Sequence, residues 1–144
     1  NNGEQKMPRK RNQGSKWITK TKRWAIYFRD NCSCVYCGRS LKDGAILTLD
    51  HIVPCEALDV PDNKHTNLVT ACLSCNSSKN DKSLNEYFDY LRAVGVPEEK
   101  IGKITFKINC ARAGNDTNVN KRQRNTLYIN GHYKKAKLFL QQQK

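Results

Sequence analysis

The sequence predicts an α+β fold in which two short strands and a helix form a small unit that is closed by two pairs of cysteines. Three observations indicate this fold class. The run LTLDHIVP at residues 47–54 alternates like a half-buried strand, and a second short run, NLVTA, follows at 67–71. A C-x2-C pair lies on either side of these two runs. Flanking helices and basic extensions account for the rest of the chain.

The segment before the first cysteine pair is predicted to form a helix from about Lys20 to Asp30. Its aromatic side chains recur at helical spacing and would form one apolar face, and a threonine at its start can cap it. The aromatic residues are Trp24, Tyr27 and Phe28, and the candidate caps are Thr19 and Thr21.

Two more helices and a hairpin are predicted after the second cysteine pair. Ser83 and Glu86 form a capping box that opens the first of these helices, and Gly95 ends it. Pro97 suits the first turn of the next helix. Further along, two short apolar runs flank an NG dipeptide at 130–131, which predicts a β-hairpin.

The distribution of charge indicates a polyanionic partner. The 144 residues include 26 Lys and Arg against 13 Asp and Glu, a net charge of +13. The net charge is +7 over residues 1–30, −1 over 31–80 and +7 over 81–144. A nearly neutral centre between two basic flanks favours nucleic acid as the partner, although solvated basic tails are the alternative. Residues 1–16 are almost free of apolar side chains and are predicted to be a flexible arm.

The composition also bears on the compartment. No apolar run approaches the roughly 20 residues needed to cross a bilayer, and the first thirty residues contain no apolar signal segment. Seven cysteines in such a chain indicate reduced thiols and a metal rather than a disulfide framework. These features predict a cytoplasmic protein with no membrane partner.

The two cysteine pairs, Cys34–Cys37 and Cys72–Cys75, predict a tetrahedral zinc site with four thiolate ligands. Structural zinc fills all four positions with protein ligands, so this ion would brace the fold and take no part in chemistry. The alternative, a redox C-x-x-C, lacks a thioredoxin-like context. The remaining cysteines lack paired spacing and are predicted to be buried thiols outside the site: Cys32, Cys55 and Cys110.

Asp50 and His51 stand side by side at the end of the first predicted strand. Adjacent residues on a strand point to opposite faces, so the two side chains share a site only if the chain bends there. We therefore expect a sharp bend at these residues and a third group that both contact. A surface carboxylate and a histidine satisfied by nearby backbone are the alternative.

In combination, these motifs resemble those of an HNH endonuclease of the zinc-braced ββα-metal type. The resemblance covers roughly residues 17–82, and each of its four motifs is weak alone. The motifs are CVYCG at 34–38, LDHIVP at 49–54, NLV at 67–69 and CLSCNSSK at 72–79. The resemblance implies an HNH nuclease core at 17–82 and gives no guidance beyond about residue 83. There, the helix signals and the excess of basic residues predict a helical, basic DNA-binding extension at 83–144.

The resemblance also implies a role for each motif residue. His51 would be the general base that takes a proton from the attacking water, and Asn67 would hold the loop between the strands so that His51 is aimed. Asp50 and Asn76 would ligate one Mg²⁺ or Mn²⁺. Asn76 stands where many relatives have His, which makes this an H-N-N variant. Its oxygen ligand suits a hard cation better than zinc.

The resemblance implies metal-dependent hydrolysis of DNA by a bacterial or phage-encoded enzyme. Such an enzyme would nick or cut double-stranded DNA, as a homing, phage or restriction enzyme does. One site cuts one strand, and the sequence leaves monomer and homodimer open. Two other classes also stay open: a zinc-stapled nucleic-acid-binding module without catalysis, and an enzyme that acts on RNA.

Basic side chains in and after the core are expected to contact DNA phosphate, which gives affinity and salt dependence but little sequence reading. They are Lys79, Lys100, Lys103, Lys107, Arg122, Arg124, Lys134 and Lys135. Two histidines outside the motifs, His65 and His132, are expected to be solvated.

Overall fold

The fold is organised around one antiparallel pair of strands with helices before and after it. The structure is a computed structural model that describes residues 17–115 and 121–143, with side chains at 17–113 and 131–143. The predicted arm at 1–16 lies outside the described residues. The helices and strands, in chain order, are α1 (Lys20–Arg29), β1 (Leu47–His51), β2 (Leu68–Cys72), α2 (Leu73–Lys79), α3 (Leu84–Ala93), α4 (Glu98–Ala111) and α5 (Lys121–Gln142).

The two strands confirm the predicted α+β class and correct one detail. They pair in antiparallel register from Leu47 opposite Cys72 to His51 opposite Leu68. Asp50 and His51 both belong to this ladder, so the sharp bend expected at these residues is wrong. The strand continues through His51, and the alternation of side chains places the two residues on opposite faces. Adjacent Cα atoms are only about 3.8 Å apart, so both side chains still start from the same end of β1.

The predicted helix starts are confirmed by their caps. Thr19 precedes α1 and its hydroxyl accepts from the Lys22 N–H at 3.1 Å. Ser83 and Glu86 form both bonds of the capping box at the start of α3. Gly95 follows α3 with a φ of 100°, a conformation that favours glycine.

The main core connects the first cysteine pair and β2 to the helices that follow α2. Apolar side chains of α3 and α4 lie in the same hydrophobic cluster as residues of the sheet and of the zinc knuckle, the turn formed by the first cysteine pair at 34–37. The members from the two helices are Tyr87, Phe88, Ile101, Ile104, Ile108 and Ala111, and those from the earlier segment include Val35, Tyr36, Ile52, Val69 and Ala71. The two segments therefore share one core, and the boundary at residue 82 stays a prediction.

The C-terminal segment corrects the predicted hairpin. Residues on both sides of the NG dipeptide belong to one helix, α5. Ala136 is fully buried beside the equally buried Ala25 of α1. The Phe139 ring contacts the Trp24 ring at a tilt of 39°, with ring centroids 4.5 Å apart. Ala136 and Phe139 lie three residues apart and share a helical face, so packing against α1 outweighs the local turn signal. Among the described helices, none is long and apolar enough to cross a membrane.

A buried arginine joins the end of α1 to the start of β2. The Arg29 side chain is 3% exposed and donates to both carboxylate oxygens of Asp30, at 2.9 and 3.0 Å. It also donates to the backbone carbonyls of His65 and Leu68, at 2.8 and 2.6 Å. The Asp30 carboxylate in turn accepts from the Thr70 N–H at 2.9 Å. One guanidinium therefore satisfies polar groups on three segments.

Replacing Arg29 with methionine is expected to lower the free energy of unfolding by about 3 kcal/mol or more, because it leaves the Asp30 carboxylate buried without its partner. Urea denaturation of the zinc-loaded protein measures this. Arg92→Met is the matched control, since Arg92 is also ion-paired, with Asp89 and Glu98, but at the exposed surface, where ion pairs contribute little. Equal urea midpoints for the two variants would contradict the prediction.

Candidate active site

The four paired cysteines converge on one point, as their spacing predicts. The sulfur atoms of Cys34, Cys37, Cys72 and Cys75 all lie within 4.8 Å of one another. The sulfurs of Cys37 and Cys72 are 3.7 Å apart, close to the roughly 3.8 Å that two ligands of a tetrahedral zinc ion require at a Zn–S distance of about 2.3 Å. The donor set and its spacing fit a structural zinc ion.

Polar contacts in the cluster favour the thiolate form of Cys34. The backbone N–H groups of Tyr36 and Cys37 point at the Cys34 sulfur, at 3.4 and 3.5 Å. A hydrogen bond from the Cys75 thiol lowers the pKa of Cys34 to about 4, against the opposing effect of burial, and the same bond raises the pKa of Cys75. Cys34 is therefore favoured as the thiolate, whereas burial raises the pKa of Cys37. A bound cation would offset the charge of all four thiolates.

Residues outside this cluster correct two expectations. Cys110 is exposed and Cys32 and Cys55 are half-buried, so the prediction of three buried thiols is wrong; Cys110 lies outside the buried face of α4. His65 and His132 are half-buried rather than solvated. Burial lowers the pKa of both imidazoles, and the nearby Arg29 guanidinium lowers it further.

Asp50 lies in the interior between the first cysteine knuckle and α2. It is 4% exposed, and its Oδ2 accepts a 2.5 Å hydrogen bond from the Tyr36 hydroxyl. The ammonium of Lys79 is 3.3 Å from each carboxylate oxygen and also donates to the His51 carbonyl at 3.0 Å. Burial raises the pKa of Asp50, and the Lys79 charge and the Tyr36 hydrogen bond oppose that shift.

The position of Lys79 does not fit the phosphate contact expected from the sequence. Lys79 is fully buried in the described structure, and its ammonium is directed at the Asp50 carboxylate rather than at the surface. The physical reason is local: a buried carboxylate requires a partner, and Lys79 in the last turn of α2 supplies it.

Asn76 faces the same strand one helical turn before Lys79. Its Nδ2 donates to the Leu49 carbonyl at 3.1 Å and to the Thr48 hydroxyl at 2.8 Å. Because a carbonyl only accepts, the amide nitrogen must face the strand and Oδ1 must face away. Within the described part of the chain nothing donates to that oxygen. Lys79, one turn later on α2, contacts Asp50, so Asn76 and Lys79 both lie against the end of β1.

His51 emerges on the other face of β1, and its ring is held from two sides. Nε2 lies 2.8 Å from the amide oxygen of Asn63, and the ring of Trp17 is 5.1 Å away between centroids. An amide oxygen only accepts, so Nε2 carries a proton and, in the neutral ring, Nδ1 holds the lone pair. The sulfur of Cys55 lies 3.7 Å from Nδ1.

Asn67 closes the loop between the two strands. Its side chain donates to the carbonyls of Val53 and Asp62, at 3.3 and 2.9 Å, and accepts from the Val53 N–H at 2.9 Å. It is 5% exposed. The loop that it holds includes Asn63, the partner of the His51 ring. This geometry is compatible with the predicted role of Asn67 in aiming His51, which stays a prediction.

Three residues around the site were missed by sequence reasoning. Tyr36 binds the Asp50 carboxylate, Asn63 binds the His51 ring and Trp17 lies against it. Tyr36 is an inner residue of a C-x2-C knuckle, Asn63 lies in a loop without regular pattern, and Trp17 precedes the first helix. No spacing rule connects these positions to residues 50 and 51.

Five of the basic residues expected to contact DNA are exposed lysines on α4 and α5. Lys100, Lys103 and Lys107 are exposed along α4, each one residue before a buried isoleucine. Lys134 and Lys135 are exposed on α5. The side chains of Arg122 and Arg124 lie outside the described residues. Contact with DNA stays a prediction for all of them.

The sequence was compared with models of known protein families. Residues 34–82 match the family model described as HNH endonuclease. This segment is an HNH domain. The resemblance drawn from the four motifs is thereby confirmed for this segment. The match begins at the first ligand of the cysteine cluster and includes β1, β2 and α2.

The chain was also compared with solved structures and curated sequences. It is similar to the Type II-C Cas9 enzyme from Actinomyces naeslundii, seen in a crystal structure, with 23% sequence identity and a TM-score of 0.45. The similarity covers 69% of this chain but only 12% of that one. No curated protein sequence matches the chain.

Proposed function

We propose that the HNH domain hydrolyses phosphodiester bonds of double-stranded DNA with the help of one divalent cation. The observation that carries this proposal is the end of β1, where Asp50 and His51 present a carboxylate and an imidazole from adjacent positions. Lys79 connects the two residues, since its ammonium contacts the carboxylate of one and the carbonyl of the other. Neither zinc binding nor affinity for DNA requires this arrangement.

His51 acts as the general base through Nδ1. The Nε2–H donates to Asn63, so the lone pair on the opposite side of the ring is the one available to accept a proton from water. Protonation leaves the Nε2–H bond intact, so Asn63 holds the ring in both charge states. Asn67 positions the loop that carries Asn63, and Trp17 restricts the tilt of the ring.

Asp50 and Asn76 are the residues that would hold a Mg²⁺ or Mn²⁺ ion. A carboxylate and an outward-facing amide oxygen form a hard donor set, and Mg²⁺ commonly takes one or two protein oxygens and fills its other positions with water and phosphate. When bound, such an ion supplies positive charge where negative charge develops on the phosphate oxygens. Tyr36 orients the Asp50 carboxylate. The Lys79 ammonium contacts both carboxylate oxygens, so it would have to move aside for the ion.

The lysines of α4 supply the contact with the DNA backbone. Lys100, Lys103 and Lys107 are exposed and spaced by three and four residues, which aligns them along one side of the helix. Point charges of this kind bind phosphate without regard to sequence, so affinity should fall steeply with salt.

The test is incubation of the zinc-loaded protein with supercoiled plasmid in the presence and absence of Mg²⁺ or Mn²⁺. We expect nicked plasmid with either ion and none without, and restored activity when the ion is added back. Omission of the ion is a better control than a strong chelator, because a chelator also removes zinc from the cysteine cluster. Zinc content is measured in each sample.

Two outcomes would contradict the proposal. Plasmid that is bound but never nicked in either metal would identify a binding module without catalysis. Cleavage of RNA together with intact plasmid would show that the enzyme acts on RNA rather than DNA.

The order of products also reports on assembly, because a single site produces nicked circles before linear DNA.

A further inference from the structure

A thiol lies beside the imidazole nitrogen to which we assign the role of base, and the proposed reaction does not use it. Cys55 is four residues after His51 and begins a 3-10 turn, Cys55–Ala57, directly after Pro54. Its sulfur is 3.7 Å from His51 Nδ1. Both side chains are half-buried, so water and small ions reach them.

The separation of these two atoms suits a shared metal ion. Zinc binds imidazole nitrogen at about 2.0–2.1 Å and thiolate at about 2.3 Å, so tetrahedral geometry places the two ligands about 3.6 Å apart. The observed 3.7 Å requires almost no movement.

The hydrogen bond at the other ring nitrogen of His51 also favours metal binding. Histidines that bind metals almost always donate their other ring N–H to an oxygen, which fixes the tautomer. His51 meets this condition through its 2.8 Å contact with the amide oxygen of Asn63. Nδ1 is therefore oriented as a ligand as well as a base, and Cys55 supplies the second ligand.

We propose that His51 and Cys55 bind a second zinc ion, separate from the four-cysteine cluster, and that this ion inhibits the nuclease. The thiol releases its proton to solvent when the metal binds, and the ion occupies the lone pair that would otherwise accept a proton from water. Only two protein ligands hold it, so it binds more weakly than the structural ion. Zn²⁺ and Cd²⁺ suit a nitrogen–sulfur donor pair, whereas Mg²⁺ does not.

The site itself is tested by thiol protection, which does not depend on activity. Protein with a saturated four-cysteine cluster is treated with iodoacetamide, with and without additional buffered Zn²⁺, and alkylation of each cysteine is quantified by mass spectrometry. We expect added Zn²⁺ to slow alkylation of Cys55 about tenfold or more. Cys32 and Cys110 are internal controls and should be unaffected. Equal protection at all three, or none at Cys55, would overturn the site.

Two variants make the result specific. His51→Ala should abolish zinc protection of Cys55, and unchanged protection would overturn the pair as a site. Cys55→Ala provides an independent measurement, since equilibrium dialysis should find two zinc ions per chain in the parent and one in the variant. Two ions in Cys55→Ala would likewise refute the assignment.

The inhibitory consequence rests on the proposed function and is tested separately. Nicking in Mg²⁺ is followed as Zn²⁺ is added, and each variant is compared with its own zinc-free rate. The parent should be inhibited at about tenfold lower Zn²⁺ than Cys55→Ala. Identical inhibition curves would refute inhibition at this site. A parent that never nicks would refute the nuclease proposal, while thiol protection would still decide whether the metal site exists.

Discussion

Replacing Cys72 with serine is expected to unfold the protein rather than slow its chemistry. Cys72 contributes one sulfur to the four-cysteine cluster and is also the N-cap residue of α2, the helix that carries Asn76 and Lys79. A structural zinc ion contributes about 10–16 kcal/mol in small zinc-dependent folds, which matches or exceeds the 5–15 kcal/mol or so of total stability of a typical domain. Serine retains an oxygen that can cap α2 but is a poor zinc ligand. The substitution should therefore weaken zinc binding rather than the helix cap.

Zinc content and the thermal unfolding transition measure this effect together. We expect Cys72→Ser to retain little zinc and to lose its cooperative transition. Cys110→Ser is the matched control, because it makes the same chemical change at an exposed cysteine outside the cluster and should leave both readouts at the parent values. A folded, zinc-free and active Cys72→Ser protein would contradict the idea that zinc braces the fold.

Replacing His51 with alanine should reduce the rate of plasmid nicking by about 10²–10⁴-fold, the usual contribution of a positioned general base. The fold should be retained, since His51 is half-buried at the end of β1 and lies outside the main hydrophobic clusters. Nicking is measured at saturating Mg²⁺, with zinc content and the urea midpoint recorded on the same sample.

The control and the rescue separate a chemical role from a structural one. His65→Ala removes another half-buried imidazole that no step of the proposed reaction uses, and its rate should stay close to that of the parent. Added imidazole should restore part of the activity of His51→Ala, because it can enter the vacated space and accept the proton. Equal activity of His51→Ala and the parent would remove His51 from its role.

Much of the site was predictable because its signals are local. The C-x2-C pairs place two sulfurs on one ion through a short turn, so their spacing alone indicates a metal. The capping box at Ser83 and the threonine before α1 were read correctly, since each involves a bond across three residues. The first strand followed from its period-two pattern, and the second from a short apolar run that is buried throughout.

Errors arose where distant contacts decide the outcome. The NG dipeptide is a turn signal in isolation, but Ala136 and Phe139 pack against α1, more than a hundred residues earlier in the chain, and the segment is helical. Lys79 reads as a surface cation, yet it lies buried against Asp50. A pattern within a short window contains no information about such partners.

The sequence by itself determined the class of fold, the four cysteines that could hold zinc and the motif residues of the HNH domain, because these depend on residue types at short, regular spacings. Only the tertiary structure decided how the side chains at the end of β1 are held: Tyr36 and Lys79 on Asp50, and Asn63 and Cys55 on His51. Those contacts join segments that are far apart or irregular in the chain. Their geometry follows from the packing of the first cysteine knuckle, the sheet and the loop between β1 and β2. A rule based on short sequence spacings cannot predict that packing.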